Sequence, residues 1–173
     1  MNNTNVLSSY EFYKEYHQNY YNKLLHIFSI QLIMVSMMTF FKNINISDIL
    51  YYIKYNPKQH SALMQHFTSI KKLRNMELNI IITYFYILYY SQCGISTFYM
   101  MWGFFHYIYC LTKFIDFTRR EAFFIFCIAW VLQFLGHYIE GRRPALVDSV
   151  GQAFLGAPLF TVLELNEIHK IEN

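Results

Sequence analysis

The chain has 173 residues, 55% of them hydrophobic and only 14% charged, with a formal net charge of +3. Soluble domains carry roughly 25% charged residues, so this composition argues against a soluble globular domain, and 17 Phe and 16 Tyr argue against a disordered chain. The positive charge is spread over segments that flank apolar runs, and no basic, aromatic-interleaved stripe suggests nucleic acid.

Taken in order, residues 1–23 are polar and lack the basic start and short apolar core of a cleavable signal. Residues 24–41 contain no formal charge and approach the roughly 20 positions a bilayer crossing needs. Residues 42–77 read as a polar connecting loop with Asn56-Pro57, the basic cluster Lys71, Lys72 and Arg74, and a short amphipathic surface helix over Ile46–Tyr55. Apolar runs follow at 78–92, ending near Cys93-Gly94, at 95–115, and at 121–139. A weaker fifth run, 146–165, contains Asp148, Gly151, Gln152, Gly156 and Pro158, and spans, re-enters or lies along the interface. The expected fold is an all-α polytopic membrane helical bundle in one domain, with four transmembrane helices plus that fifth segment. Cys93, Cys110 and Cys127 have no metal-binding or paired spacing and read as buried free thiols. The 42–77 loop and the 113–120 turn hold nine of the 14 Lys and Arg, which places them in the cytosol by the positive-inside tendency.

If the first four runs all cross, the start of the first and the end of the fourth share one side of the membrane. Those are the places where unusual polar residues collect. Asn22 and His26 stand four apart and share a helix face. His17 and His26 are nine apart, about 900° of helical rotation, so on one unbroken helix they point in opposite directions. Both reach one metal only if the backbone breaks between them, with Asn19 or Asn22 capping the new helix. In the fourth run Gln133, His137 and Glu140 form one stripe at i, i+4 and i+7, and Gly141, Arg142, Arg143 and Pro144 follow. Each has an ordinary reading too: a histidine as interfacial anchor, Arg142 and Arg143 as boundary cations, Glu140 as partner to one of them. Polar groups on two membrane helices at one face point instead to a functional site. His60, His66 and His169 sit in polar sequence and read as solvated, and His106 is the weakest candidate ligand, with a hydrogen bond inside the bundle as its ordinary role.

The blocks Phe12-Tyr13-x2-Tyr16-His17-x4-Asn22-x3-His26 and Trp130-x2-Gln133-Phe134-x-Gly136-His137-x2-Glu140-Gly141-Arg142-Arg143-Pro144-Ala145-Leu146-x-Asp148 resemble the 2-hydroxy fatty acid dioxygenase family, and Gln152-x5-Ala157-Pro158-x-Phe160-x3-Glu164 continues the likeness. The resemblance covers about the first 35 residues and 116–164. It implies an endoplasmic-reticulum membrane enzyme of phytosphingosine breakdown that uses Fe(II) and molecular oxygen. A 2-hydroxy fatty acid would lose its carboxyl carbon as CO2, leaving a fatty acid one carbon shorter. Matching positions imply His17, His26 and His137 as iron ligands, with Glu140 either a fourth ligand or a group that orients them. Asn22 and Gln133 would orient the imidazoles, and Arg142 or Arg143 would hold the substrate carboxylate. The chain departs from the family pattern at Gln18 and at Ser29-Ile30-Gln31. The competing expectation is a non-catalytic membrane scaffold or lipid-binding protein with the same fold.

Overall fold

The computed structural model describes residues 10–11, 13–42, 44–47, 49, 76–148 and 150–171. Most of the 42–77 loop, including His60, His66 and most of the Ile46–Tyr55 helix, lies outside them, as do the side chains of Asp148, Gln152 and His169. The helices are α1 (Tyr20–Phe41), α2 (Leu78–Tyr90), a 3-10 turn at Ser91–Cys93, α3 (Ile95–Ile115), α4 (Arg119–Glu140), α5 (Ala145–Asp148) and α6 (Val150–Ile171). Among the described residues the one β-bridge joins Asn45 to Glu77, and it closes the base of the long loop.

Local chemistry sets the helix ends. Asn19 caps α1, its side chain accepting from the backbone N–H groups of Tyr21 and Asn22. Thr118 and Glu121 form a reciprocal capping box that starts α4. Gly141, at φ +69°, terminates α4 in the left-handed conformation that glycine adopts without strain. Inside α6, Pro158 has no N–H, which frees the carbonyl of Phe154 four residues earlier. The Tyr86 hydroxyl donates to that carbonyl at 3.2 Å, and Tyr90 donates to the carbonyl of Leu155, so α2 is pinned to α6 where its own ladder is weakened.

α1 is the hub. It packs most extensively on α4, and α6, α3 and α2 also lie against it. Its apolar window is 56% buried against 28% for α4, so α1 is wrapped by protein while α4 turns Phe124, Ile128, Val131 and Tyr138 outward. His26 meets His137 at one end of the pair, and Lys42 meets Asp116 and Arg119 at the other, so α1 and α4 are antiparallel.

The all-helical expectation holds, but the count of four clear transmembrane helices does not. Among the described residues two helices, α1 and α4, are long and apolar enough to cross a membrane by length and composition. α2 has 13 residues, about 20 Å at 1.5 Å per residue, against a hydrocarbon core of about 30 Å. α3 is long enough but diluted by Ser96, Thr97, Gly103, His106 and several tyrosines. In the 146–165 region the apolar part of α6, Phe154–Asn166, is likewise shorter than a crossing helix. All three cysteines are free, but Cys110 and Cys127 are exposed rather than buried.

Candidate metal centre

The N-terminal segment makes a helical turn over residues 13–15, then breaks at 16–19 before α1 begins. This is the interruption that the spacing of His17 and His26 demands, and Asn19 is the residue that caps the new helix. As a result His17 folds back over the first turns of α1. It is fully buried, stacked on Tyr13 with ring centroids 4.4 Å apart and packed against Phe160 of α6 at 4.8 Å.

His17, His26 and His137 each present one ring nitrogen, and the three nitrogens lie within 4.8 Å of one another. The His17 Nδ1 lies 2.6 Å from the Tyr13 carbonyl, and the His26 Nδ1 lies 3.1 Å from the Asn22 carbonyl. A carbonyl accepts only, so both Nδ1 atoms carry the proton and both Nε2 atoms hold a free lone pair. The His26 Nε2 faces the His137 Nε2 at 3.2 Å, while the His17 Nε2 and the His137 Nδ1 are buried with no partner. Burial pushes the His17 imidazole down to about 4, with the Tyr13 carbonyl acting the other way, so it is neutral near pH 7. A buried imidazole nitrogen without a partner, as on His17 and His137, is costly unless something accepts it. One cation would. The donor set fits a transition metal that prefers imidazole, Fe(II) included.

The surrounding residues hold the triad in place. Glu140 accepts from the Gln18 backbone N–H at 2.6 Å through Oε1 and from the Asn22 amide through Oε2. Glu140 therefore stands outside the imidazole cluster, tying the broken segment and α1 to the end of α4. Gln18, where the chain departs from the family pattern, donates its side-chain amide to the Lys14 carbonyl at 2.7 Å. Gln133 donates to the Ser29 hydroxyl at 2.8 Å, and Ser29 donates to the Leu25 carbonyl, a polar link between α4 and α1 one turn below the histidines. Arg142 and Arg143 are exposed just past α4, with Arg142 donating to the Glu15 carbonyl. His106 is exposed on α3, beside Trp102 and 3.7 Å from the Cys110 sulfur, and is not a member of the cluster.

Two contributors had no assigned role in the sequence reading. A methyl group on Gly136 would collide with the Asn22 Oδ1 and come within 3.0 Å of the His26 Nδ1 and 3.1 Å of its Cε1. Glycine is what lets α1 and α4 approach closely enough for His26 to meet His137. Glu164, 1% exposed on α6, pairs with Lys23 at 2.9 Å and accepts from Tyr10 at 3.3 Å, which binds the start of α1 and the N-terminal segment to α6. Both belong to stretches that carry the family likeness, but nothing local to either residue shows what it touches.

The description "2-hydroxy-palmitic acid dioxygenase Mpo1-like" belongs to the family model that matches residues 4–168. The 2-hydroxy-palmitic acid dioxygenase MPO1 of Saccharomyces cerevisiae is 41% identical over 51 residues, an alignment that spans 29% of each chain. No solved structure matches the chain.

Proposed function

Since the chain belongs to the Mpo1-like family, we propose that it is an Fe(II)-dependent dioxygenase that shortens 2-hydroxy fatty acids by one carbon. The observation that carries this reading is the convergence of three buried imidazoles, two of them with an unpartnered ring nitrogen, from two helices and a folded-back segment. The overall reaction would consume one 2-hydroxy acid and one O2, break the bond between the carboxyl carbon and C2, and release CO2, water and the shorter acid. Iron bound there supplies the one-electron and oxygen chemistry that no side chain provides.

The protein's part is placement. His17, His26 and His137 hold the ion, and the Tyr13 and Asn22 carbonyls orient two of the rings by accepting their Nδ1 protons. Glu140 keeps the break at 16–19 closed over the site through Gln18 and Asn22. Phe160 and Tyr13 cover His17 and exclude water. The substrate carboxylate would be received by Arg142 or Arg143 at the end of α4, in a two-pronged contact that guanidinium suits. α1 and α4 would hold the protein in a membrane, that of the endoplasmic reticulum by family resemblance, and its lipid substrate would reach the site within that layer.

Purified protein from an iron-replete host is expected to carry near-stoichiometric iron and to convert 2-hydroxy-palmitic acid to the acid one carbon shorter. His137→Ala is expected to abolish both. Wild-type protein that is folded, metal-free and inactive would overturn the enzyme reading and leave the scaffold alternative.

A further inference from the structure

An apolar groove begins at His137 and Gln133 and runs down the seam between α1 and α4, with α6 along one side. On α1 it is lined by Ile30, Ile33, Met34 and Met37, one stripe of a helix face. On the α6 side it passes Ala157 and Pro158, whose small side chains leave the path open. At its far end stand Trp130 and Phe154, ring centroids 6.4 Å apart, beside Met37 and Tyr86. Counting the open solvent along its mouth, the groove has about 630 Å³ of space free of atoms, so it is an open furrow rather than an enclosed cavity. Phe134 and Phe154 line it while remaining 48% and 40% exposed, so it opens toward the outer surface.

From this shape we propose that the groove measures a single acyl chain, and that Trp130, Phe154 and Met37 set the length it accepts. The assignment of the chain's head to the histidine end rests on the oxygenase reading above; the groove itself does not. The far end lies about 10 Å from His137 measured along α4 to Trp130, and about 16 Å from His26 measured along α1 to Met37. An extended alkyl chain advances about 1.25 Å for each C–C bond of about 1.5 Å, so the span takes about eight to thirteen bonds. With the carboxyl and hydroxyl carbons at the imidazoles, that reach suits a medium or long acyl chain. Polar side chains gather at the head end, as an amphiphile with one polar terminus requires. Met34 and Met37, unbranched and flexible, can fit themselves to a methylene chain.

Two measurements test this. In the first, a 2-hydroxy-palmitic acid analogue with a diazirine at its methyl end is photolysed with the detergent-solubilised protein and the labelled peptides are mapped. Label is expected on Trp130, Phe154 or Met37; label confined to Phe124, Ile128 and Val131 on the outer face of α4 would overturn the groove. In the second, Trp130→Ala, Phe154→Ala and Met37→Trp are assayed against 2-hydroxy acids from lauric to arachidic length. The alanine variants are expected to favour longer chains and Met37→Trp shorter ones, by about tenfold or more in relative kcat/KM. Variants that keep their iron and turnover with an unchanged length profile would overturn the assignment. A wild-type protein that is labelled at the far end but turns over no 2-hydroxy acid would instead refute the oxygenase reading and leave the groove standing.

Discussion

The two ends of the α1–α4 pair use the same helices for opposite purposes. At the α1 C-terminus, Lys42 and Asp116 pair at 2.6 Å, but Asp116 is 76% exposed, and its neighbours Thr118 and Glu121 serve only to start α4. Lys42 holds the Asp116 carboxyl below its usual range, yet water already solvates that carboxylate. At the other end His17, Asn22, His26 and Glu164 are all but fully buried, and the contacts of Glu140 with Gln18 and Asn22, of His26 with His137 and of Glu164 with Lys23 cross between elements. Surface pairs tune a helix junction, whereas buried polar groups must be placed together or their desolvation is not offset. The difference marks where the molecule has committed structure to chemistry.

Three substitutions, with Gly103→Ala as a control for the first, probe that contrast in descending order of effect. Gly136→Ala should displace the amide of Asn22 and the ring of His26 and lower bound iron by at least about tenfold, as expected when groups supporting a metal ligand are disturbed. Gly103→Ala, where nothing lies within 4 Å, should leave iron content as it is; equal loss in both would break the argument for close approach. Glu164→Gln strips the charge from a buried pair and should destabilise the protein by about 3 kcal/mol, read as a lowered melting temperature in detergent. A Glu164→Gln protein as stable as wild type would show that α6 is not anchored through Lys23. Asp116→Asn should move neither iron content nor melting temperature measurably, and a large effect there would erase the distinction between the two ends.

Much of the site was readable before any coordinates. A stripe at Gln133, His137 and Glu140 follows from helical periodicity alone, and the misfit of His17 with His26 on one helix required a break, which the cap at Asn19 supplies. The arrangement of Glu140 was not readable. Its position on the stripe is compatible with touching a metal, and only the fold shows both its oxygens occupied by Gln18 and Asn22. The number of crossing helices was overread because apolar runs register as long even when a turn such as Ser91–Cys93 cuts them, or when tyrosines dilute them.

By itself the sequence determined the helical class and the approximate positions of the apolar helices, since periodicity and capping residues are local properties. The tertiary structure decided that α1 rather than α4 is enclosed, that Gly136 lies directly against Asn22 and His26, and that Glu164 reaches back 141 residues to Lys23. Those outcomes depend on which faces meet. A helix face carries the same residues whatever packs on it, so the meeting is settled only when the whole chain has found its lowest free energy.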